Sequence, residues 1–451
     1  MKKAVVLFVF ITSIFNSHSQ IIVGSTTVAE TVVATNLSVP WDMTYGPDGW
    51  IWFTELSGNI KRMNPNTFQV QQIFAISDVA LFGFSVGLHS IVMHPDFNTT
   101  SPYLYVHYAY TTTTSKIVRY EYDAINNTLT NPLIILGSIP AGVSHNGSRM
   151  VILNDKLFIC LGDTYSTPAV AQNLSSINGK VLRMNLDGSI PNDNPIANSY
   201  IWSMGHRNPQ GLCYGNGKFY SSEHGTSNND ELNIIESNRN YGWPTVEGIC
   251  DTAAEITFCN ANNVKEPIWS WSPSIAPAGV DLYQNTAIPE WNNSLLLAVL
   301  KNKELIQLKL SDDGTAVTQQ TIYLINKYGR LRDVLVIPDG RVFICTSNKD
   351  YAGTPGATDD RIIELKNQAL DVNHFDATTT SIYPVPSDDM LYIESNSKTA
   401  FISIIDTQGK EIYTAKYSTK VDVSKFASGM YYLQLMDKDK RVVEQKKILV
   451  R

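Results

Sequence analysis

Beyond the first twenty residues, short runs rich in Val, Ile, Tyr, Phe and Trp alternate with Gly, Pro, Asn and Asp along nearly the whole chain. Runs of this length and composition, bounded by turn formers, predict β-strands and leave little room for amphipathic helices. One unit recurs: a turn containing Asp, Asn or Gly leads into a strand that ends in a small polar residue. It reads PDGWIWFTE at 47–55, NDKLFICLGD at 154–163, GNGKFYSSEHG at 215–225 and PDGRVFICTSN at 338–348. Looser copies are PDFNTTSPYLYVHYAY at 95–110 and PEWNNSLLLAVLKN at 289–302, which makes six units.

A small-sheet unit repeated at this spacing predicts a β-propeller, in which each blade buries its faces against its neighbours. A β-sandwich rarely repeats one turn-strand signature six times, and a β-helix has much shorter repeats. The expected fold is therefore all-β: a six-bladed β-propeller over 28–367. Propellers bind ligands at the central channel, so the residues just after each repeated strand are the first candidates for chemistry.

The pattern changes at both ends. Lys2 and Lys3, an apolar stretch from Ala4 to Phe15 and small polar residues at Ser17–Ser19 read as an export signal over 1–20. Near residue 368 the composition turns polar, giving a linker over 368–380, followed by a compact strand-rich unit over 381–451. That unit contains YPVPSDDMLYI at 383–393, ISIIDTQGKEI at 402–412 and a basic end with Lys446, Lys447 and Arg451. It predicts a small β-sandwich, without a Trp for stacking sugars. It also resembles the C-terminal sorting domain of the type IX secretion system of Bacteroidetes, with Val385 where that family has Asn. The resemblance implies type IX machinery as a partner and a secreted or cell-surface location, and leaves open whether the domain is cleaved.

Composition narrows the classes. With 43% hydrophobic and 17% charged residues, 451 residues can bury a large core. A net charge of −7 argues against a broad nucleic-acid surface. None of the five cysteines forms a CxxC pair, which argues against a zinc ribbon or a thioredoxin-like motif. Cys250 and Cys259 lie close together in a polar loop, as a disulfide pair would; Cys160 and Cys345 read as small buried apolar groups.

The richest block for chemistry runs from His145 to Pro244: HNGSRM at 145–150, LGDT at 161–164, GHRNPQGL at 205–212, SEHGTSNNDELN at 222–233 and NYGWP at 240–244. WSPSIAPAG at 271–279, Lys301 and GRLRDV at 329–334 follow. Arg330 and Arg332 alternate on an expected strand and so share a face. Two such forks suit a ligand rich in carboxylates, although spacing alone favours a pair of solvated surface arginines. His145, in a loop, suits proton abstraction from a hydroxyl.

Together these motifs resemble the soluble PQQ-dependent glucose/sorbosone, or aldose sugar, dehydrogenases over about residues 30 to 366. The resemblance implies a quinoprotein that oxidises the C1 hydroxyl of an aldose to a lactone, with pyrroloquinoline quinone and Ca2+ as cofactors. It assigns His145 as general base, Asp163 as the carboxylate orienting it, and Arg207 as a catalytic and quinone contact. Asn208, Lys301, Arg330, Arg332 and Ser274 become further cofactor contacts. Gly225 and Thr226 become backbone ligands of calcium, with Thr226 standing where the family often has Pro. Asp230 and Glu231 are candidates for a further calcium or, equally, for a solvated acidic loop. The position where glucose-oxidising members carry Gln falls near Ser85, so the sugar itself is left open, as are the electron acceptor and a homodimeric assembly. Two other readings share the fold: a calcium-dependent lactonase and a non-catalytic binding propeller. The cationic trio with His145 separates the dehydrogenase from both.

Overall fold

The computed structural model describes residues 19–84, 86–370, 380–395 and 399–451. They divide into two compact units, with the boundary between Leu370 and Asp371. Strands dominate. Among the described residues the single α-helix is Ala253–Ala261, started by a capping box between Thr252 and Glu255 and tied to the preceding loop by the disulfide Cys250–Cys259. Cys160, Cys213 and Cys345 are free and buried.

The larger unit consists of six antiparallel sheets, five with four strands and one with five. The first strands of the sheets are Pro40–Tyr45, Leu88–Met93, Met150–Leu153, Pro209–Gly215, Pro277–Tyr283 and Leu331–Val336. They stand side by side in that order, and the last packs against the first, so the sheets close into a ring. The unit is a β-propeller.

Each of the six recurring sequence units supplies the second strand of one sheet: Ile51–Glu55, Tyr103–Ala109, Lys156–Leu161, Lys218–Glu223, Ser294–Val299 and Val342–Thr346. These strands pack against a neighbouring sheet on each side. Ile51–Glu55, Ser294–Val299 and Val342–Thr346 are accordingly buried at every position, which is why they read as unbroken apolar runs. Trp52, Leu88, Val106 and Tyr108 fill the space between the first and second sheets; Trp291, Leu296, Leu331 and Ile344 fill that between the fifth and sixth.

The ring is closed by hydrogen bonds. Thr26–Ala34 pairs with Ile362–Asn367, so the sixth sheet combines strands from both ends of the unit. Ser19–Val23 adds the outermost strand, with Ser19 opposite Glu30. Strand pairing in this unit thus starts ahead of residue 28, with Ser19 and Gln20 in this outermost strand. The rest of the expected signal, 1–18, lies outside the described residues, as does 371–379 of the expected linker.

Where the inner strands converge, charge replaces apolar packing. Arg149 forms ion pairs with Asp42 of the first sheet and, at 3.1 Å, with Asp333 of the sixth. Its Nε donates to the Gln210 carbonyl of the fourth at 3.3 Å. All three charged side chains are buried.

The smaller unit stacks a three-stranded sheet (Ser381–Tyr383, Met390–Glu394, Lys420–Asp422) on a four-stranded one (Glu411–Lys416, Phe401–Asp406, Gly429–Met436, Val442–Val450). Leu391, Ile393, Ile402, Ile404, Leu433 and Ile448 form the core between them.

Candidate active site

Antiparallel pairing brings the start of each first strand beside the end of each second strand: Pro40 faces Glu55, Pro209 faces Glu223, and Leu331 faces Thr346. Residues from these two positions converge at one mouth of the ring around a cavity of about 270 Å³. Trp41, His89, Gln210, Arg330 and Arg332 come from the starts of first strands or just before them; His224 and Lys301 come from just past the ends of second strands. His145 and Asn208 complete the polar wall.

The arginines are built in, not solvated. Arg330 and Arg332 are both buried. Asp350 joins them: its Oδ2 accepts from Arg330 Nη2 at 2.9 Å, Arg332 Nη2 at 3.1 Å and Ser347 Oγ at 2.9 Å. Burial alone would raise the Asp350 carboxyl, but Arg332 and Arg330 outweigh it and hold the group below its ordinary value. Burial in turn pulls Arg332 down, opposed by Asp350 and reinforced by Arg330. Lys301 is exposed on the cavity wall and makes no ion pair among the described residues. Three cations therefore line a single cavity, two of them sharing the Asp350 carboxylate.

His145 sits in a left-handed turn at φ 55° with Nδ1 2.7 Å from Asp163 Oδ1. Asp163 is fully buried and also accepts from the Tyr165 amide at 2.7 Å and from Trp243 Nε1 at 2.8 Å. A carboxylate so fixed holds the His145 proton on Nδ1 and leaves Nε2 as the ring's acceptor.

Arg207 does not line this cavity. It lines a smaller adjoining pocket of about 10 Å³ that shares His224 with the large one. Its Nη1 donates to the His224 carbonyl at 3.0 Å, its guanidinium lies 5.3 Å from the Trp243 ring, and its Nε is buried without a partner among the described residues. Burial lowers its pKa. Asn208 is anchored through its amide to Glu223 at 3.1 Å, and its Oδ1 accepts from Gln210 Nε2 at 2.9 Å.

Ser274, expected as a cofactor contact, is elsewhere. Its hydroxyl lies 2.9 Å from Asp230 Oδ2, and it does not line the cavity. Asp230, fully buried, also accepts from the amides of Gly225 at 2.8 Å, Ile275 at 2.6 Å and Ala276 at 2.8 Å. Glu231 is buried too and accepts from the Gly248 amide at 2.7 Å and Asn233 Nδ2 at 2.8 Å. Burial, then repulsion from Glu223, raises its carboxyl to about 8. Neither residue belongs to a solvated acidic loop, and both carboxylates are taken up by protein donors. Among the described residues no group of three or more His, Cys, Asp or Glu side chains is arranged to hold a metal. Asp230 instead shapes the loop of Gly225 and Thr226. Gly225 has no room for a side chain there, since a Cβ would lie 2.0 Å from the Asn228 carbonyl oxygen.

Sequence reasoning missed Trp41, His89, Gln210, His224 and Asp350. The first three occupy strand-start positions equivalent to those of the arginines, a signal that appears only once the antiparallel pairing is known. His224 adjoins Gly225 in the recurring unit. Its Nε2 donates to the Pro277 carbonyl at 2.8 Å, and burial pushes its pKa down to about 4, so it is neutral near pH 7.

The family model "Glucose / Sorbosone dehydrogenase" matches residues 37–353, and "Secretion system C-terminal sorting domain" matches 381–451. The chain is 30% identical over 400 residues to quinoprotein glucose dehydrogenase B of Acinetobacter calcoaceticus, covering 69% of this chain and 83% of that protein. It is 29% identical over 339 residues to an aldose sugar dehydrogenase of Escherichia coli, covering 71% and 90%. Among solved structures, the PQQ-bound aldose sugar dehydrogenase of Streptomyces coelicolor aligns with a TM-score of 0.66 at 30% identity, over 75% of this chain and 98% of that one. The chain therefore belongs to the glucose/sorbosone dehydrogenase family and carries a secretion-system C-terminal sorting domain.

Proposed function

We propose that this protein is a quinoprotein that oxidises the C1 hydroxyl of an aldose to a lactone, using pyrroloquinoline quinone and calcium at the mouth of a six-bladed propeller. The observation that carries the reading is the cation-rich cavity. Two buried arginines that share one carboxylate line it with Lys301 and with the His145 of a His–Asp pair, in a site that also exposes hydrogen-bonding groups. Burying this much positive charge is costly unless an anion completes it.

The residues present fit such a cofactor. Lys301, Arg330 and Arg332 would hold its carboxylates, the arginine forks being preset by Asp350. Asn208 would add a neutral contact. Arg207, whose Nε has no partner among the described residues, lines the small adjoining pocket with His224 and Gly225 and would serve the quinone side, while the backbone carbonyls of Gly225 and Thr226 would serve the calcium. When bound, the quinone supplies the hydride acceptor and calcium the Lewis acid that polarises it.

The chain's own groups handle the proton and the geometry. His145 Nε2 accepts the proton of the sugar hydroxyl, and Asp163 steadies the imidazolium that results. Trp243 holds Asp163 in place and lies beneath Arg207, which couples the base to the positive charge beside the reacting centre. The wall from Trp41 to His224 orients the substrate. An amino-terminal signal and the sorting domain would carry the enzyme through type IX secretion to the cell surface or beyond.

Adding the quinone with calcium to the purified apo-protein should shift the visible absorbance of the quinone with one-site saturation. Arg332→Gln should weaken that binding at least tenfold. An absorbance that stays the same on mixing overturns the proposal.

A further inference from the structure

Two aromatic rings stand at the rim of the cavity and belong to neither the His–Asp pair nor the cationic wall. Phe84 is 49% and Tyr351 is 64% exposed, yet both line the same cavity. Their ring centroids are 4.9 Å apart with the planes tilted by 47°. They come from different parts of the ring: Phe84 from the loop between the first and second sheets, Tyr351 from the loop after the Val342–Thr346 strand of the sixth.

Each ring is tied to a different half of the site. The Phe84 amide donates to the Val143 carbonyl at 2.6 Å, two residues before His145. Gly83 makes this approach with φ +56°, where a Cβ would lie 2.3 Å from the Val143 oxygen. Tyr351 directly follows Asp350, the carboxylate that sets both arginine forks and also receives the Ala352 amide at 2.9 Å. The pair therefore bridges the base end and the cofactor end of the site and presents apolar surface to solvent at its entrance. Large exposed rings kept at a pocket mouth mark a place where a ligand lies.

We infer that Phe84 and Tyr351 form an outer subsite that stacks a second sugar ring, so that the preferred substrate is a saccharide of two or more units. This rests on the proposed C1 oxidation. The oxidised unit is then the reducing end, held with its C1 hydroxyl at His145, and any unit joined to it must project outward toward the rim. The C–H face of a pyranose packs on aromatic rings, while its hydroxyls stay in water. Arg330 and Arg332, held beneath the rim by Asp350, are occupied by the cofactor and do not compete for this ring.

The test is steady-state kinetics of the full chain, loaded with pyrroloquinoline quinone and calcium, on cellobiose and on glucose. The wild type should show the higher kcat/KM on cellobiose. The ratio of the two constants should fall about tenfold in the Phe84→Ala/Tyr351→Ala double variant, in keeping with the loss of one or two stacking contacts. Phe84→Tyr and Tyr351→Phe should preserve the ratio. A ratio that the double variant leaves unchanged, or a wild type that favours glucose, overturns the subsite while leaving C1 oxidation standing. If neither sugar nor any other aldose is oxidised, the failure lies in the reaction itself, and the subsite falls with it.

Discussion

His145 and Asp163 are eighteen residues apart in sequence and 2.7 Å apart in space, and each has a separate task. His145→Ala removes the base and should lower kcat about 10²–10⁴-fold with quinone affinity nearly intact, measured by dye reduction beside an absorbance titration. Asp163→Asn keeps the shape but loses the charge that holds the tautomer, so kcat should fall while the sugar KM changes little. A different residue sets a pH dependence of stability. Burial raises Asp281 from 3.8 to about 6, opposed by the amides of Val336 and Leu282. The folded state then binds a proton more tightly than the unfolded one. Stability should therefore fall as pH rises from about 4 through about 6, by on the order of 3 kcal/mol in total. Asp281→Asn should flatten that part of the melting-temperature profile; an unchanged slope would contradict the assignment. At this scale the sequence was legible where a side chain follows a recurring strand, as with Lys301. It did not reveal where a neighbour claims the side chain: the Ser274 hydroxyl is bound to Asp230.

The inner strands depend on one another through Arg149, which joins Asp42, Asp333 and the Gln210 carbonyl and packs 4.7 Å from the Trp41 ring at the floor of the cavity. Arg149→Met would leave two buried carboxylates without their cation and should cost about 3–5 kcal/mol in a denaturant titration. Arg149→Lys keeps the charge but not the fork, and should recover only part of that loss. The six second strands could be read from the sequence because turn chemistry and an unbroken apolar run mark each one. The first strands that carry Trp41 and His89 could not be recognised as site-bearing. Their ends reach the cavity only through antiparallel pairing, which a linear pattern does not encode. Asp350 escaped for the same reason: it lies in the loop after the second strand of the sixth sheet, while its partners, Arg330 and Arg332, lie at the start of the first.

At the scale of the whole molecule, the sixth sheet joins the two ends of the propeller, and the sorting domain has its own core. Ending the chain after Leu370 should leave cofactor-dependent turnover within about twofold of the full chain, since no site residue lies beyond Ala352. Removing Ser19–Ala34 instead takes two strands from the sixth sheet, the sheet that presents Arg330 and Arg332. Cofactor binding should be lost together with the cooperative melt. The most direct measurement is dye reduction by the purified apo-protein on a panel of aldoses, with and without pyrroloquinoline quinone plus calcium. Reduction that requires both additions and disappears in His145→Ala is the predicted result. A protein that stays folded, takes up no quinone and reduces no dye with any sugar would contradict the account.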